Sequence, residues 1–123
     1  MTTHAHALAE RYIASWNETD ALRRRSLVED VYNEHARYTD PVVDASGWPA
    51  IEATIVAVQG MFPGHRFSLA GPVDAHHDTL RFHWHLAAPG ADEPLVIGFD
   101  VASLEDGRIR QVFGFLDKVP QAA

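Results

Sequence analysis

Residues 98–117 read GFDVASLEDGRIRQVFGFLD, and the fold turns on how this stretch pairs with itself. Two runs of strand-forming residues flank Glu105-Asp106-Gly107, which predicts a tight hairpin with glycine where a left-handed residue is wanted. With these three residues in the loop, Leu104 faces Arg108 and Ala102 faces Arg110. Continuing outward, Asp100 faces Val112 and Gly98 faces Gly114. Directly opposed residues share a face of a sheet. One face therefore carries a carboxylate beside a pair of glycines, which is a hollow. The other carries Ile97, Phe99, Val101, Phe113 and Phe115. A competing arrangement pairs Asp100 with Arg110, diagonal to it, as a surface ion pair, and makes the aromatic face the core. The glycine pair favours the hollow, because a solvent-facing surface has no use for one.

Upstream of this ribbon the chain reads first as helices and then as strands. Helix one is expected from His4 to Trp16, with Ala5, Leu8, Ala9, Tyr12, Ile13 and Trp16 on its apolar face. Asp20 caps a second helix over residues 21–32. Residues 36–39 read as a short strand ending at Asp40-Pro41. Ser46-Gly47 precedes a third helix with Pro49 in its first turn and Ile51, Ile55 and Val58 in one stripe. RFSLAGPV and DTLRFHWHL supply two more strands before PLVIGFDVASL and RIRQVFGFLD. Helices followed by strands predict an α+β class, with helices on one face of a mostly antiparallel sheet.

The 123 residues suit one domain large enough to bury a core without staples. There is no cysteine, which excludes disulfides, thiolate metal sites and a cysteine nucleophile. The start, MTTHAHALAERY, lacks the flanks of a signal peptide, and no segment reaches the roughly 18 apolar residues of a membrane span. A cytoplasmic protein with no membrane partner is the expectation. A net charge of -7 with one basic cluster, Arg23–Arg25, excludes an extended nucleic-acid footprint. His83 and His85 share a strand face, and His76 and His77 adjoin a turn. No properly spaced third ligand follows, so no metal is expected. No glycine-rich phosphate loop is present.

Asp40, Asp100 and Tyr12 are the side chains whose types suit proton transfer next to a carbonyl. An ionised carboxylate removes an α-proton, while a phenol and a neutral carboxylic acid hydrogen-bond the developing enolate oxygen. Each also has a plainer reading. Asp-Pro is turn chemistry, and Tyr12 suits a core tyrosine with its hydroxyl tied to a neighbour.

ERYIASWNETD, YTDPV and GFDVASLEDGRIRQVFGFLD resemble the ketosteroid isomerase and SnoaL-like polyketide cyclase branch of the nuclear transport factor 2-like superfamily. The resemblance covers nearly the whole chain. It implies three N-terminal helices packed on a curved, mostly antiparallel sheet that forms a cone around an apolar pocket. It implies Asp40 as general base, with Tyr12 and a neutral Asp100 as oxyanion donors, and no cofactor. Tyr32 falls where some isomerases carry a supporting tyrosine, whereas Ile55 stands where some carry another. The expected pocket lining is Trp16, Tyr32, Ile55, Met61, Phe62, Phe82, Trp84, Val112 and Leu116, with Gly98 and Gly114 leaving space. Such a lining suits a polycyclic ketone, polyketide, steroid or terpenoid.

The expected activity is therefore isomerisation or cyclisation of an apolar carbonyl compound. The alternatives are a non-catalytic ligand-binding domain and an epoxide hydrolase. The latter's Asp–Arg–Asp relay has no matching buried arginine in this reading. With Asp100 turned inward, Phe99, Phe113 and Phe115 face outward, which predicts a homodimer through that face. The competing expectation is that extra helix or a terminal tail covers them.

Overall fold

The computed structural model describes residues 2–120. The elements run α1 (Thr2–Asn17), α2 (Ala21–Val31), β1 (Tyr32–Thr39), β2 (Asp44–Ser46), α3 (Trp48–Met61), β3 (Arg66–Leu69), β4 (Asp74–His76), β5 (Thr79–Ala87), β6 (Val96–Glu105) and β7 (Arg108–Lys118). The strands form one sheet in the order β2-β1-β7-β6-β5-β3, with β4 also paired to β5. All pairings are antiparallel except β1 with β7. The fold is thus α+β, with the three helices gathered over one sheet face.

The apolar stripe of α1 is the helix's buried face: Ala5, Leu8, Ala9, Tyr12, Ile13 and Trp16 are all in the core. It meets the inward side chains of β5–β7, among them Leu80, Phe82, Ala102 and Val112. Asp20 caps α2 by accepting from the Arg23 N–H at 3.0 Å. Three polar contacts then fix where α1 ends. Asn17 exchanges two hydrogen bonds with the Phe67 backbone, at 2.9 and 2.8 Å, as a strand neighbour would. Gln59 of α3 donates to the Trp16 and Glu18 carbonyls. Buried Arg24 donates to Glu18 O and lies 3.4 Å from Glu52 of α3. The Trp16 carbonyl at the end of α1 and the Glu18 carbonyl just beyond it are thereby satisfied, and α3 is locked beside the helix.

Several local expectations are corrected. The second helix stops at Val31, and β1 begins at Tyr32 rather than at residue 36. Tyr32, Ala36 and Tyr38 are buried and Arg37 is exposed, so core packing on a strand overrides helix propensity there. Strands β2 and β4, three residues each, lie in stretches that read as loop. The last hairpin turns through Asp106 and Gly107 alone, at φ 53° and 80°, so Glu105 pairs with Arg108. A bulge follows. Leu104 pairs with Ile109 and Ser103 with Gln111, which leaves Arg110 as the extra residue.

The outcome is that Asp100 faces Gly114 rather than Val112, and Gly98 faces Leu116 rather than Gly114. A shift of two residues preserves the sheet face. Asp100 is therefore still turned inward and only 3% exposed, while Arg110 is exposed. The Asp100–Arg110 surface pair is excluded.

Candidate active site

Asp40 follows the last residue of β1, and the backbone around it explains the Asp-Pro pair. Proline has no N–H, so the first free amides after Asp40 belong to Val42 and Val43. Both donate to Asp40 Oδ1, at 2.9 Å each. The Asp40 N–H in turn donates to Val43 O at 3.0 Å, closing the turn. Arg37 clamps the β1–β2 hairpin from outside by donating to both Asp44 oxygens at 2.9 and 2.8 Å. Asp40 Oδ2 accepts from the Tyr38 hydroxyl at 2.6 Å. The residue is at once a turn-former and a fixed carboxylate, half-buried at the wall of a cavity.

Asp100 approaches from β6. Its Oδ2 accepts from the Tyr12 hydroxyl at 2.7 Å, a contact spanning 88 residues of sequence. Its Oδ1 is buried without a hydrogen-bond partner, as is Nε1 of Trp84. Gly114 is what lets the two carboxylates meet. A Cβ at that position would lie 3.0 Å from Asp100 Oδ1, 3.2 Å from Asp40 Cβ and 3.3 Å from Thr39 O. The two acids are therefore neighbours across the glycine, with Asp100 Oδ1 within about 6 Å of Asp40 Cβ.

Burial pushes the Asp100 carboxyl up to about 6 from 3.8. The Tyr12 hydrogen bond opposes that rise, and the Asp40 charge adds to it. Burial first, and then the Asp100 charge, drive the phenols of Tyr12 and Tyr38 well above the ordinary tyrosine range. Both therefore remain hydrogen-bond donors at any working pH. Tyr32, likewise raised chiefly by burial, accepts from Trp16 Nε1 at 3.1 Å.

Tyr12, Tyr38, Asp40 and Asp100 form one polar strip in a cavity of about 610 Å³. The remaining wall comes from Ile13 and Trp16 of α1; Val42 and Val43; Ala53, Thr54, Ala57, Val58 and Met61 of α3, with Phe62 after it; Phe67 of β3; and Trp84, Leu86, Val96 and Leu116 of β5–β7. Val119 and Pro120 complete the rim. Among the described residues no lysine, arginine or histidine lines it. That composition favours a neutral, largely apolar ligand with a single polar end.

No protein-family model matches the chain, and no curated protein does. A solved structure does: a "putative isomerase of the SnoaL-like family" from Agrobacterium tumefaciens, 45% identical, with a TM-score of 0.88. The match covers 94% of this chain and 98% of that one. The chain belongs to the SnoaL-like family. Two more distant structures share the fold. A "putative ketosteroid isomerase" from Kribbella flavida is 18% identical at TM-score 0.71, covering 99% of this chain and 84% of its own. A "putative SnoaL-like polyketide cyclase" from a Jannaschia species is 16% identical at TM-score 0.75, covering 94% and 87%.

In this SnoaL-like chain, Tyr12, Asp40 and Asp100 come together, and Trp16, Met61, Phe62, Trp84 and Leu116 line the same cavity. Six expected lining residues do not. Tyr32, Ile55, Phe82 and Val112 are at most 1% exposed and form the packed layer behind the wall. Phe82 sits edge-on to Tyr12 at 5.2 Å. Gly98 leaves no hollow, because the Trp84 indole occupies it: a Cβ there would come within 2.5 Å of that ring and of Phe115 O. Gly114 lies behind the two acids rather than on the wall. Within the polar strip, the group that sequence reasoning missed is Tyr38. The signal was present, since two residues along a strand return to the same face and Asp40 is two beyond it.

The histidines stay outside this site. His83 is exposed on the outer sheet face, 5.5 Å from the Phe99 ring. Among the described residues no three His, Asp or Glu side chains gather as metal ligands would. Among the described residues no helix is long and apolar enough to cross a membrane.

Proposed function

We propose that this SnoaL-like protein is a cofactor-free proton-transfer enzyme, an isomerase or cyclase, acting on a small apolar carbonyl compound such as a polyketide, steroid or terpenoid. The observation that carries this reading is two carboxyls and two phenols on one strip of an otherwise apolar cavity. Asp40 takes the proton from the carbon beside the carbonyl. The electrons of that C–H bond pass into an enolate. Its oxygen accepts from neutral Asp100, whose other oxygen is already polarised by Tyr12. Asp40 then returns the proton to a different carbon, or the enolate carbon attacks a second carbonyl, whose π electrons pass to its oxygen, and that alkoxide takes the proton back from Asp40. Asp100 donates only while it holds its proton, and a negative enolate oxygen beside it favours keeping that proton there.

Exchange of solvent deuterium into 2-tetralone, an apolar bicyclic ketone with labile α-protons, tests the reading by proton NMR. Wild type is expected to accelerate exchange, and Asp40→Asn to lose at least a hundredfold of it while still binding the ketone. Equal exchange by the two proteins refutes Asp40 as base.

One observation favours a second reading, a binding domain with no chemistry. Both phenol protons are already committed to carboxylates at 2.7 and 2.6 Å in the free protein. That reading predicts tight binding of an apolar ligand with no exchange. For the epoxide reading, among the described residues no arginine lines the cavity; isotope-labelled water incorporated into product would revive it.

The outward aromatic face supports a homodimer, which belongs to the same proposal. Phe99 and Phe115 stack at 5.0 Å, and Phe113 and Phe115 are 41% and 49% exposed. Aromatic side chains of this kind are enriched in protein interfaces.

A further inference from the structure

Asp40 has two oxygens and about four sites at which to accept hydrogen bonds. Oδ1 spends both of its sites on Val42 N–H and Val43 N–H. Oδ2 spends one on Tyr38. A single open site remains, on Oδ2. We propose that Tyr38 is a positioning residue: it aims the carboxylate and leaves Oδ2 as the one atom able to take the substrate's proton. The inference rests on the reading of Asp40 as a base.

Tyr38 is built for this. It lies on β1 two residues before Asp40, so its side chain leaves the same face of the strand. Its ring is 6% exposed and packs 5.2 Å from that of Trp16, so the hydroxyl has a fixed origin. The phenol keeps its own proton throughout, and the substrate proton moves only between carbon and Oδ2.

When Oδ2 takes that proton, its bond from Tyr38 changes from charge-assisted to neutral and weakens. Tyr38 therefore opposes proton uptake and favours proton return, which turnover requires. The other titratable groups near the acid are Asp100 of β6, across Gly114 of β7, and Tyr12 of α1, bonded to Asp100. Helix α3 and the turn after Asp40 present only apolar residues and Thr54 to the cavity.

The test is Tyr38→Phe, which keeps the ring. Carbon-13 NMR of the Asp40 carboxyl is followed against pH in the free protein, and again in an Asp100→Asn background that removes the neighbouring titration. On losing the Tyr38 donor to its anion, the Asp40 carboxyl is expected to hold its proton to higher pH than in wild type. In the 2-tetralone assay kcat is expected to fall about tenfold, with KM within twofold and the acid limb of the profile moved up. Should Tyr38→Phe fail to fold, 3-fluorotyrosine at position 38, a stronger donor, is expected to move the midpoint down instead. A folded variant whose Asp40 midpoint does not move overturns the inference. The NMR readout needs no turnover. Absence of exchange in wild type would count against the enzyme reading alone, and a shifted midpoint would still support Tyr38.

Discussion

Replacing Asp100 by asparagine should make the protein relatively more stable as pH rises, and the size of the effect follows from the burial of the acid. Its carboxyl is 3% exposed and titrates at about 6 rather than 3.8. Between those values the native state binds more protons than the unfolded chain, so wild-type stability falls as pH rises through that window and levels off above it. The rise is worth about 3 kcal/mol in total. Asparagine cannot ionise, so this loss disappears from the variant. Its amide brings a penalty of its own, about 1–3 kcal/mol, because Oδ1 has no partner and the amide nitrogen inherits that position. That penalty does not depend on pH. The readout is therefore the change in the stability difference between the two proteins, measured by urea denaturation from pH 4 to pH 7.5. Part of the loss has already occurred at pH 4, so the variant is expected to gain about 2 kcal/mol relative to wild type across that range, and to lose exchange activity at the same time. A difference that stays flat with pH would mean that the buried acid is not perturbed, and the account of Asp100 as a neutral donor would fail with it.

Two other substitutions probe the geometry and the assembly. Gly114→Ala is expected to destabilise by about 1–3 kcal/mol in thermal or urea unfolding and to abolish exchange, because its Cβ would sit 3.0 Å from Asp100 Oδ1 and 3.2 Å from Asp40 Cβ. An active, fully stable alanine variant would show that the acids do not depend on that space. Phe113→Lys with Phe115→Lys is expected to convert a dimer to a monomer in sedimentation at low micromolar concentration, leaving the cavity side unchanged; a wild-type monomer would dispose of the interface.

What the sequence disclosed depended on how local the governing physics was. The buried face of α1 follows from helical spacing alone, and the Asp20 cap from residue type. The inward turn of Asp100 survives an error in register because the error is an even number of residues. The register itself was out of reach: the bulge at Arg110 is set by packing across β6 and β7, and nothing in RIRQ announces it. Strands β2 and β4 are too short to carry a period. The expected hollow at Gly98 failed for a tertiary reason, since Trp84 on the adjacent strand fills it. Gly114 proved to be the space between the two acids instead, because β1 brings Asp40 to it through the parallel β1–β7 pairing. Tyr38 could have been named from alternation along YTD.

The central claim is that the substrate oxygen meets Asp100, whose other oxygen is held by Tyr12, while the adjoining carbon meets Asp40. A crystal structure with 2-naphthol, a planar phenol that mimics the enolate, tests it most directly. The account predicts the naphthol oxygen within hydrogen-bonding distance of Asp100 Oδ1, the atom without a partner, with a ring carbon facing Asp40 Oδ2. A naphthol bound with its oxygen at the rim beside Met61 and Val119, and hydrocarbon against the acids, would contradict it.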